Sequence, residues 1–420
     1  HSVGKIHLRQ FGAPKGVPLD DLDPSEYPEC GQMWGERRID TVPTPYYGLQ
    51  SVELSIGHGS WVQGDYMRWL EQQDPDAPAL TTPQAGEPLA SGAEQSWKMA
   101  LPEELHYSKW IADRTIAYLE RAAESDEPFF LWCSFPDPHH PFCPPHPWCD
   151  MYDPASIPLP NRTDGELANL PPHYARIVDE AFPLAGRFQP TRMTDDQIRD
   201  IWAMTYGLIS LTDHHLGRVL DALDSLGLRE NTCTSFFSDH GDMLGDHWIV
   251  NKGPFHMDSL VRVPFIWSWP GHFDGGEETD ALASMLDFAP TVLDLAGVPI
   301  PEGDVPLAPE TENQLPPWPG HSLTPILSGQ ASAVQQSVLI ENDEDYLGLR
   351  LRTLVTDRYK ITAYPGQPYG ELFDLQSDPS EQHNLWDAPA HAATKSALLI
   401  QLLEKLTETD TVLPRRMCHA

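Results

Sequence analysis

The sequence is poor in positive charge. It holds 27 Lys and Arg against 62 Asp and Glu, a formal net charge of −35, and only 8 of its 420 residues are Lys. A duplex nucleic acid or an anionic membrane surface would be repelled by such a chain, so neither is expected as a partner. No run of 18 apolar residues occurs, so nothing is predicted to span a bilayer. No signal peptide is visible, and the chain begins with His rather than Met, so the compartment stays open between soluble cytoplasmic and periplasmic. The six cysteines (30, 133, 143, 149, 233 and 418) include no C-x-x-C pair and do not read as a disulfide framework. Internal repeats are absent. Asn161-Arg162-Thr163 is a formal glycosylation sequon, read as incidental.

Proline is abundant instead, at 42 residues, about twice ordinary usage. With 13 Trp, 13 Tyr and 14 Phe, that points to many ordered loops and not to disorder. At about 150 residues per domain, the length predicts two to three units, or one large α/β domain with an appendage. We place the boundary near residue 330, giving 1–330 and 331–420.

Residues 1–8 read as a strand end entering a loop, and 10–100 as irregular, Pro- and Gly-rich chain. Helical spacing predicts a helix over 103–124. The apolar runs Phe129–Phe135, Thr234–Phe237 and Val261–Trp267 read as short buried strands, the last at an edge or bulge because of Pro264. Residues 136–190 read as Pro-rich loop. A helix over 194–226 is marked by a Thr194/Gln197 capping box and closed by Gly227. Another helix is predicted over 280–296. After the Pro-rich stretch 299–325, strands at 336–341, 350–356, 358–364 and 371–374 and a helix near 391–408 make a small antiparallel layer. Strand and helix alternate in the larger part, which predicts an α/β sheet with parallel strands.

In open α/β sheets, ligands bind beyond the carboxyl ends of the strands. After Thr234–Phe237 come Asp239, His240, Asp242, Asp246 and His247, five potential metal ligands within nine residues. Such a set suits Zn²⁺ or another divalent ion, and equally a hydrogen-bonded acidic loop. After Phe129–Phe135 comes Pro136-Asp137-Pro138-His139-His140-Pro141, whose prolines fix the direction of the imidazoles. His139 is then a general acid, a ligand, an anion donor, or a loop residue packed on Phe142. Lys5 and His7 share a face if their segment is extended. Against a background of −35, any anion site must gather its cations locally, which singles out Lys5 and Lys252. Asp213-His214-His215 lies inside the 194–226 helix and reads as a solvated face. Asp20-Asp21-Leu22-Asp23 reads as loop.

Together these segments resemble the sulfatase family of the alkaline phosphatase superfamily, over nearly the whole chain. Gly4-Lys5-Ile6-His7-Leu8 is similar to its G-K-x-H-L segment, and Pro138-His139-His140-Pro141 to its P-H-x-P. Ser238 to Gly253 is similar to its S-D-H-G…G-D-H…K signature, and Arg262-Val263-Pro264 to its R-V-P strand. Glu371 to Leu375, with Asp378-Pro379 and Asn384-Leu385, resembles its C-terminal motif. The resemblance implies an alkaline-phosphatase-like three-layer sandwich with a mixed, largely parallel central sheet, plus a small C-terminal antiparallel sheet and helix. It implies Asp239 and His240 as metal ligands. It also implies Lys5, His7, His139 and Lys252 as holders of sulfuryl or phosphoryl oxygens, with His7, His139 and Lys252 catalytic and His139 protonating the leaving group. His240 stands where many sulfatases have Asn and is similar to the superfamily's phosphonate and phosphodiester hydrolases.

The family's D-D-x-R strand and C-x-P-S-R helix, whose Cys or Ser becomes the formylglycine nucleophile, precede G-K-x-H-L. Here the sequence starts at that segment, so it reads as N-terminally truncated with one core strand missing. Three functions follow as expectations. The first is a promiscuous metal-dependent hydrolase of phosphate or phosphonate di- and triesters, and of sulfate esters, using metal-activated water. Its ion would be Zn²⁺ ahead of Ca²⁺, Mn²⁺ or Mg²⁺, because the ligands are rich in His. The second is an arylsulfatase whose N-terminal segment lies outside this chain. The third is a non-enzymatic fragment acting in assembly. An exposed sheet edge and the tail 409–420 predict a homo-oligomer, a dimer or larger. The small-molecule partner would be an anionic or neutral ester.

Overall fold

A computed structural model describes the chain except residues 15, 180–191, 301–317, 344–346 and 410–420. In order, the elements begin with β1 (Ser2–Gly4), α1 (Gly31–Gly35), β2 (Val52–Ile56), β3 (Gln63–Gly64), α2 (Asp65–Gln73) and α3 (Ala77–Leu80). They continue with β4 (Glu87–Pro88), β5 (Trp97–Lys98), α4 (Tyr107–Ala123), β6 (Trp132–Ser134), α5 (Pro172–Asp179) and α6 (Asp195–Ser225). Next come β7 (Thr234–Phe237), α7 (Asp258–Val261), β8 (Phe265–Ser268), α8 (Phe288–Leu295) and α9 (Thr324–Leu327). The chain closes with β9 (Val338–Asn342), β10 (Leu351–Val355), β11 (Tyr359–Ala363), β12 (Gly370–Asp374) and α10 (Ala392–Thr409). Two compact units result, His1–Leu159 with Met193–Asn231, and Pro160–Arg192 with Thr232–Ala420.

The first unit is built on a four-stranded sheet in the order β3-β2-β1-β6, with β1 parallel to both β2 and β6. Val3, fully buried, packs with Tyr66, Leu70, Trp97, Tyr107 and Ile111. The capping box is present as read: Gln197 N donates to Thr194 Oγ1, and Thr194 N to Gln197 Oε1. Gly227, at φ +69°, closes the C-terminus in the left-handed region. α6 packs on α4 through Val219, Ala222 and Leu223 against Ala112 and Leu119.

The second unit holds the β7–β8 antiparallel pair and a four-stranded antiparallel sheet in the order β12-β11-β10-β9. One face of that sheet, with Leu339, Leu354, Ile361 and Leu372, is covered by Leu398 and Leu402 of α10. The other face buries Lys360, Thr353, Thr362 and Glu371. Burial pushes the Glu371 carboxyl up to about 7, against the hydrogen bond donated by Tyr364 Oη at 2.8 Å. Its folded value lies above the unfolded one, so the stability it confers is present at low pH and is lost as pH rises from about 4.5 to about 7. Glu371→Gln removes this titration. The stability difference between wild type and variant is expected to fall by about 2–3 kcal/mol between pH 5 and pH 8. Urea unfolding at the two pH values measures it, and a constant difference would refute the assignment.

Several sequence expectations need correction. Residues 10–100 are not wholly irregular, since α1, β2, β3, α2 and α3 lie there. Residues 136–190 include α5, which buries Tyr174, Ile177 and Val178. Val261 ends a helix, and the strand starts only at Phe265, directly after Pro264. Residues 280–284 are not helical. β7 is only half-buried, with Phe236 43% exposed. Asp20 and Asp21 form a short 3-10 turn. His215 is buried at 1% exposure and not solvated, because positions 208, 211, 215 and 219 form the inner stripe of α6. Cys30, Cys133, Cys143, Cys149 and Cys233 are all free thiols. Cys418, most of the Pro-rich stretch 299–325 and the tail from 410 lie outside the described residues.

Candidate active site

In the first unit, β1 ends at Gly4 with φ +100°. A Cβ there would lie 1.9 Å from the Ser134 carbonyl oxygen, so only glycine fits between the strands. Lys5 N then donates to Ser134 O at 3.0 Å, which sets the Lys5–His7 segment beside the end of β6. From β6 the chain turns through Asp137. This buried carboxylate accepts from Tyr107 Oη at 2.5 Å and Ser108 Oγ at 2.7 Å, pinning the loop to the first turn of α4. Burial pushes Asp137 up to about 6 against those two bonds.

His139 follows two residues later. Its Nδ1 lies 2.5 Å from the His140 carbonyl oxygen. A carbonyl only accepts, so Nδ1 carries the hydrogen and Nε2 presents the lone pair of the neutral ring. His139 stacks on His58, with ring centroids 3.5 Å apart and planes 7° apart. His140, not His139, is the ring that approaches Phe142, at 6.3 Å. Sequence reasoning missed His58. The signal was Gly57-His58-Gly59 directly after β2, with Gly57 at φ +85° and Gly59 at φ +52°. A Cβ on Gly59 would lie 2.5 Å from Pro141 Cγ, so this glycine allows the His58 turn to meet the His139 loop.

The second unit carries Asp239, His240 and Lys252 together. Asp239 Oδ1 accepts from His240 N at 3.0 Å. His240 Nδ1 donates to Gly241 O at 2.6 Å, which leaves Nε2 as the acceptor, 3.6 Å from Asp239 Oδ2. Lys252 Nζ sits 2.6 Å from that Nε2. Gly241 is required by close approach. Its N donates to Leu260 O at 2.7 Å, and an added Cβ would lie 2.1 Å from Ser259 O.

The other members of the five-ligand run are held elsewhere. Asp242 Oδ1 accepts from Leu244 N at 2.9 Å and Asn251 N at 2.8 Å, and burial pushes this carboxyl up to about 6. Asp246 Oδ1 accepts from Asn161 N at 3.0 Å. Buried His247 has Nδ1 3.3 Å from Glu166 Oε2. Leu244, His247, Trp248 and Asn251 all have positive φ, between 44° and 73°, so the loop leading to Lys252 is strained.

A family model described as Sulfatase matches residues 58–298, more than half of the chain. The chain belongs to the sulfatase family. The sulfatase match contains His58, His139, Asp239, His240 and Lys252, while Lys5 and His7 precede it. A second model, described as N-sulphoglucosamine sulphohydrolase, C-terminal, matches residues 245–409. An arylsulfatase of Clostridium perfringens is 30% identical over 324 residues, covering 76% of this chain and 61% of that protein. The multifunctional alkaline phosphatase superfamily protein PehA of Trinickia caryophylli is 28% identical, covering 78% and 65%. The chain thus spans less than two thirds of the length of these curated relatives. The phosphonate monoester hydrolase of Agrobacterium radiobacter aligns over 97% of this chain and 78% of its own, with a TM-score of 0.73 and 24% identity. That likeness shows the alkaline-phosphatase-like α/β fold read from the sulfatase-type motifs.

The sulfatase family implies a divalent metal ion, and the Asp239–His240 pair fits one. Two donor atoms 3.6 Å apart match two metal bonds of about 2.0–2.2 Å from one centre. The Gly241 carbonyl fixes the tautomer that leaves Nε2 able to ligate, as ligating imidazoles need. Lys252 Nζ bonds that lone pair at 2.6 Å, so the ammonium has to swing aside for Nε2 to ligate a metal. Asp239 and His240 belong to neither of the clusters of three or more potential ligand groups among the described residues.

Proposed function

We propose that this chain carries the hydrolytic machinery for anionic esters of phosphorus and sulfur, with phosphonate monoesters and phosphodiesters ahead of sulfate esters. The observation that carries the reading is the Asp239–His240–Lys252 cluster at the C-terminal end of β7. Water is added across a P–O or S–O bond, giving an alcohol or phenol and an acid. Asp239 and His240 would hold the divalent ion, which stabilises negative charge on the central group's oxygens as the bond breaks. A mixed nitrogen and oxygen donor pair suits Zn²⁺ or Mn²⁺ better than Ca²⁺.

Lys252 pairs its ammonium with a non-bridging oxygen, and the sulfatase-type motif implies the same role for Lys5 and His7 in the loop after β1. His139, with Nδ1–H donated to a carbonyl, takes up a proton from solvent on Nε2 and passes it to the leaving oxygen, the role its motif implies. His58 keeps that ring in one plane by stacking on it. The nitrogen ligand at 240 and the likeness to a phosphonate monoester hydrolase favour phosphorus esters. The arylsulfatase likeness keeps sulfate esters among the substrates.

The test is an aryl ester panel of phosphonate monoester, phosphate mono-, di- and triester, and sulfate, run before and after chelation. Hydrolysis of phosphonate monoesters or diesters is expected, lost with chelator and restored by Zn²⁺ or Mn²⁺. Turnover indifferent to chelation, or hydrolysis of none of the panel, overturns the proposal.

A further inference from the structure

Among the described residues, two clusters of potential metal ligands lie outside the site just described: Glu103 with His214 and His215, and His146 with Cys149 and Asp150. The first is disqualified by its own hydrogen bond. Arg218 Nη1 lies 3.3 Å from His215 Nδ1, and a guanidinium only donates, so Nδ1 is the acceptor and Nε2 bears the ring proton. The same guanidinium would face any bound cation.

In the second cluster the neighbouring cation, the Lys98 ammonium, bonds the carboxylate and not the imidazole, and His146 Nδ1–H donates to Asp150 Oδ2. We propose that His146, Cys149 and Asp150 form a binding site for a borderline-soft divalent cation of the Zn²⁺ class. The three residues stand at i, i+3 and i+4 around the short 3-10 turn Trp148–Asp150, so the local backbone alone assembles them. His146 Nδ1 lies 2.7 Å from Asp150 Oδ2 and 3.3 Å from Cys149 Sγ, and all three donor atoms lie within 4.8 Å of one another. Metal bonds of about 2.0–2.3 Å at tetrahedral angles put such donors roughly 3.3–3.8 Å apart. The cluster therefore needs to open by less than about 1 Å, and the half-exposed His146 can rotate to do so.

The support around the cluster is already in place. Lys98 Nζ holds Asp150 Oδ1 at 2.7 Å, which leaves Oδ2 for the cation and keeps the carboxylate monodentate. The turn is fixed against α6, where Gly207 passes so close that an added Cβ would lie 2.6 Å from the Trp148 carbonyl oxygen. Tyr152 and Ser210 lock the following residues by a 2.7 Å hydroxyl contact.

The donor set selects the ion. Sulfur, nitrogen and one oxygen suit Zn²⁺ and exclude Ca²⁺ and Mg²⁺, which need oxygen cages. Cys149 is 97% buried, and that burial pushes its thiol up to about 12, so it is no nucleophile at neutral pH. A bound cation reverses this. The metal–sulfur bond forms as the S–H bond breaks, and the thiol proton leaves to solvent. The Nδ1 proton that bonds Asp150 Oδ2 is given up to solvent as the cation binds and one is taken back on the exposed Nε2, so the imidazole stays neutral. One proton is released per ion at neutral pH, with no change of oxidation state.

Cobalt(II) titration of the chelator-treated full chain tests this. A near-ultraviolet sulfur-to-cobalt charge-transfer band is expected, rising to one equivalent and erased by Zn²⁺. Asp239→Asn is expected to keep the band, because that residue supplies no sulfur. His146→Ala, an exposed change that the fold tolerates, is expected to weaken cobalt binding tenfold or more, and Cys149→Ser to abolish the band. Absence of the band in wild type, or a band unchanged in His146→Ala, overturns the site. Proton release measured for Asp239→Asn in two buffers of different ionisation enthalpy should give one proton per ion, and none would also overturn it.

Discussion

Replacing Asp239 by Ala is expected to lower kcat/KM for an aryl phosphonate monoester by about 10³-fold, with little change in thermal stability. A loss of that size is about 4 kcal/mol of transition-state stabilisation. Its physical basis is that Asp239 is exposed and supports nothing of the fold that the structure shows. Among the described residues, Oδ1 accepts only the N–H of the next residue, and Oδ2 faces His240 Nε2 at 3.6 Å. On the proposed reading, removing the carboxylate takes away half of the donor pair in this unit and the charge that would hold a cation there. Asp242→Asn provides the contrast. That carboxylate is buried and accepts from Leu244 N and Asn251 N, so its loss should appear first in unfolding. Lys252→Ala should cost about 10²-fold in kcat, and Lys252→Arg should recover little, because a planar fork does not replace a point charge at 2.6 Å from a ring nitrogen. An Asp239→Ala enzyme within tenfold of wild type would remove Asp239 from the chemistry.

The strand-end logic singled out Asp239, His240 and His139 because those residues follow apolar runs that contrast with their flanks, and the scarcity of lysine singled out Lys252. α6 was legible for a similar reason: Thr194, Gln197 and Gly227 mark its ends chemically. The C-terminal sheet was legible because its strands alternate cleanly between α10 and the opposite face. Where the signal was short, it failed. β2 has five residues and α2 nine, with only Tyr66 and Leu70 of α2 buried, so neither shows a full period amid Pro and Gly. His58 was invisible as a candidate because the strand that presents it was. Proximity in sequence also misled. Asp242, Asp246 and His247 look like ligands beside Asp239, yet backbone N–H groups and Glu166 already engage them. His215 looked solvated because Asp213 and His214 flank it, although its own position falls on the buried stripe of α6.

The largest effect on stability is expected from Lys360, on β11. Its ammonium is 1% exposed, lies 2.7 Å from Asp258 Oδ1, and also pairs with Glu381 Oε1. Glu381 is itself buried, and its Oε2 accepts from Asp258 N at 2.6 Å. Breaking such a cluster by removing one partner leaves an uncompensated buried charge and costs about 3–5 kcal/mol. Lys360→Met should therefore lose that much in urea unfolding at pH 8. Burial already raises the Glu381 carboxyl, and losing the nearby ammonium raises it further. Between its unfolded and folded values Glu381 keeps a proton that the unfolded chain releases, so the deficit of the variant should shrink as pH falls toward 5. Adding Glu381→Gln to Lys360→Met should recover part of the loss at pH 8, because the stranded charge is gone. Activity should fall as well. Asp258 opens α7, the Leu260 carbonyl of α7 accepts from Gly241 N, and Gly241 O in turn fixes the His240 ring. Through that relay a lysine in the C-terminal sheet positions the His240 ring at the end of β7. A Lys360→Met loss below about 1 kcal/mol, or one independent of pH, would show that the buried cluster does not hold this relay.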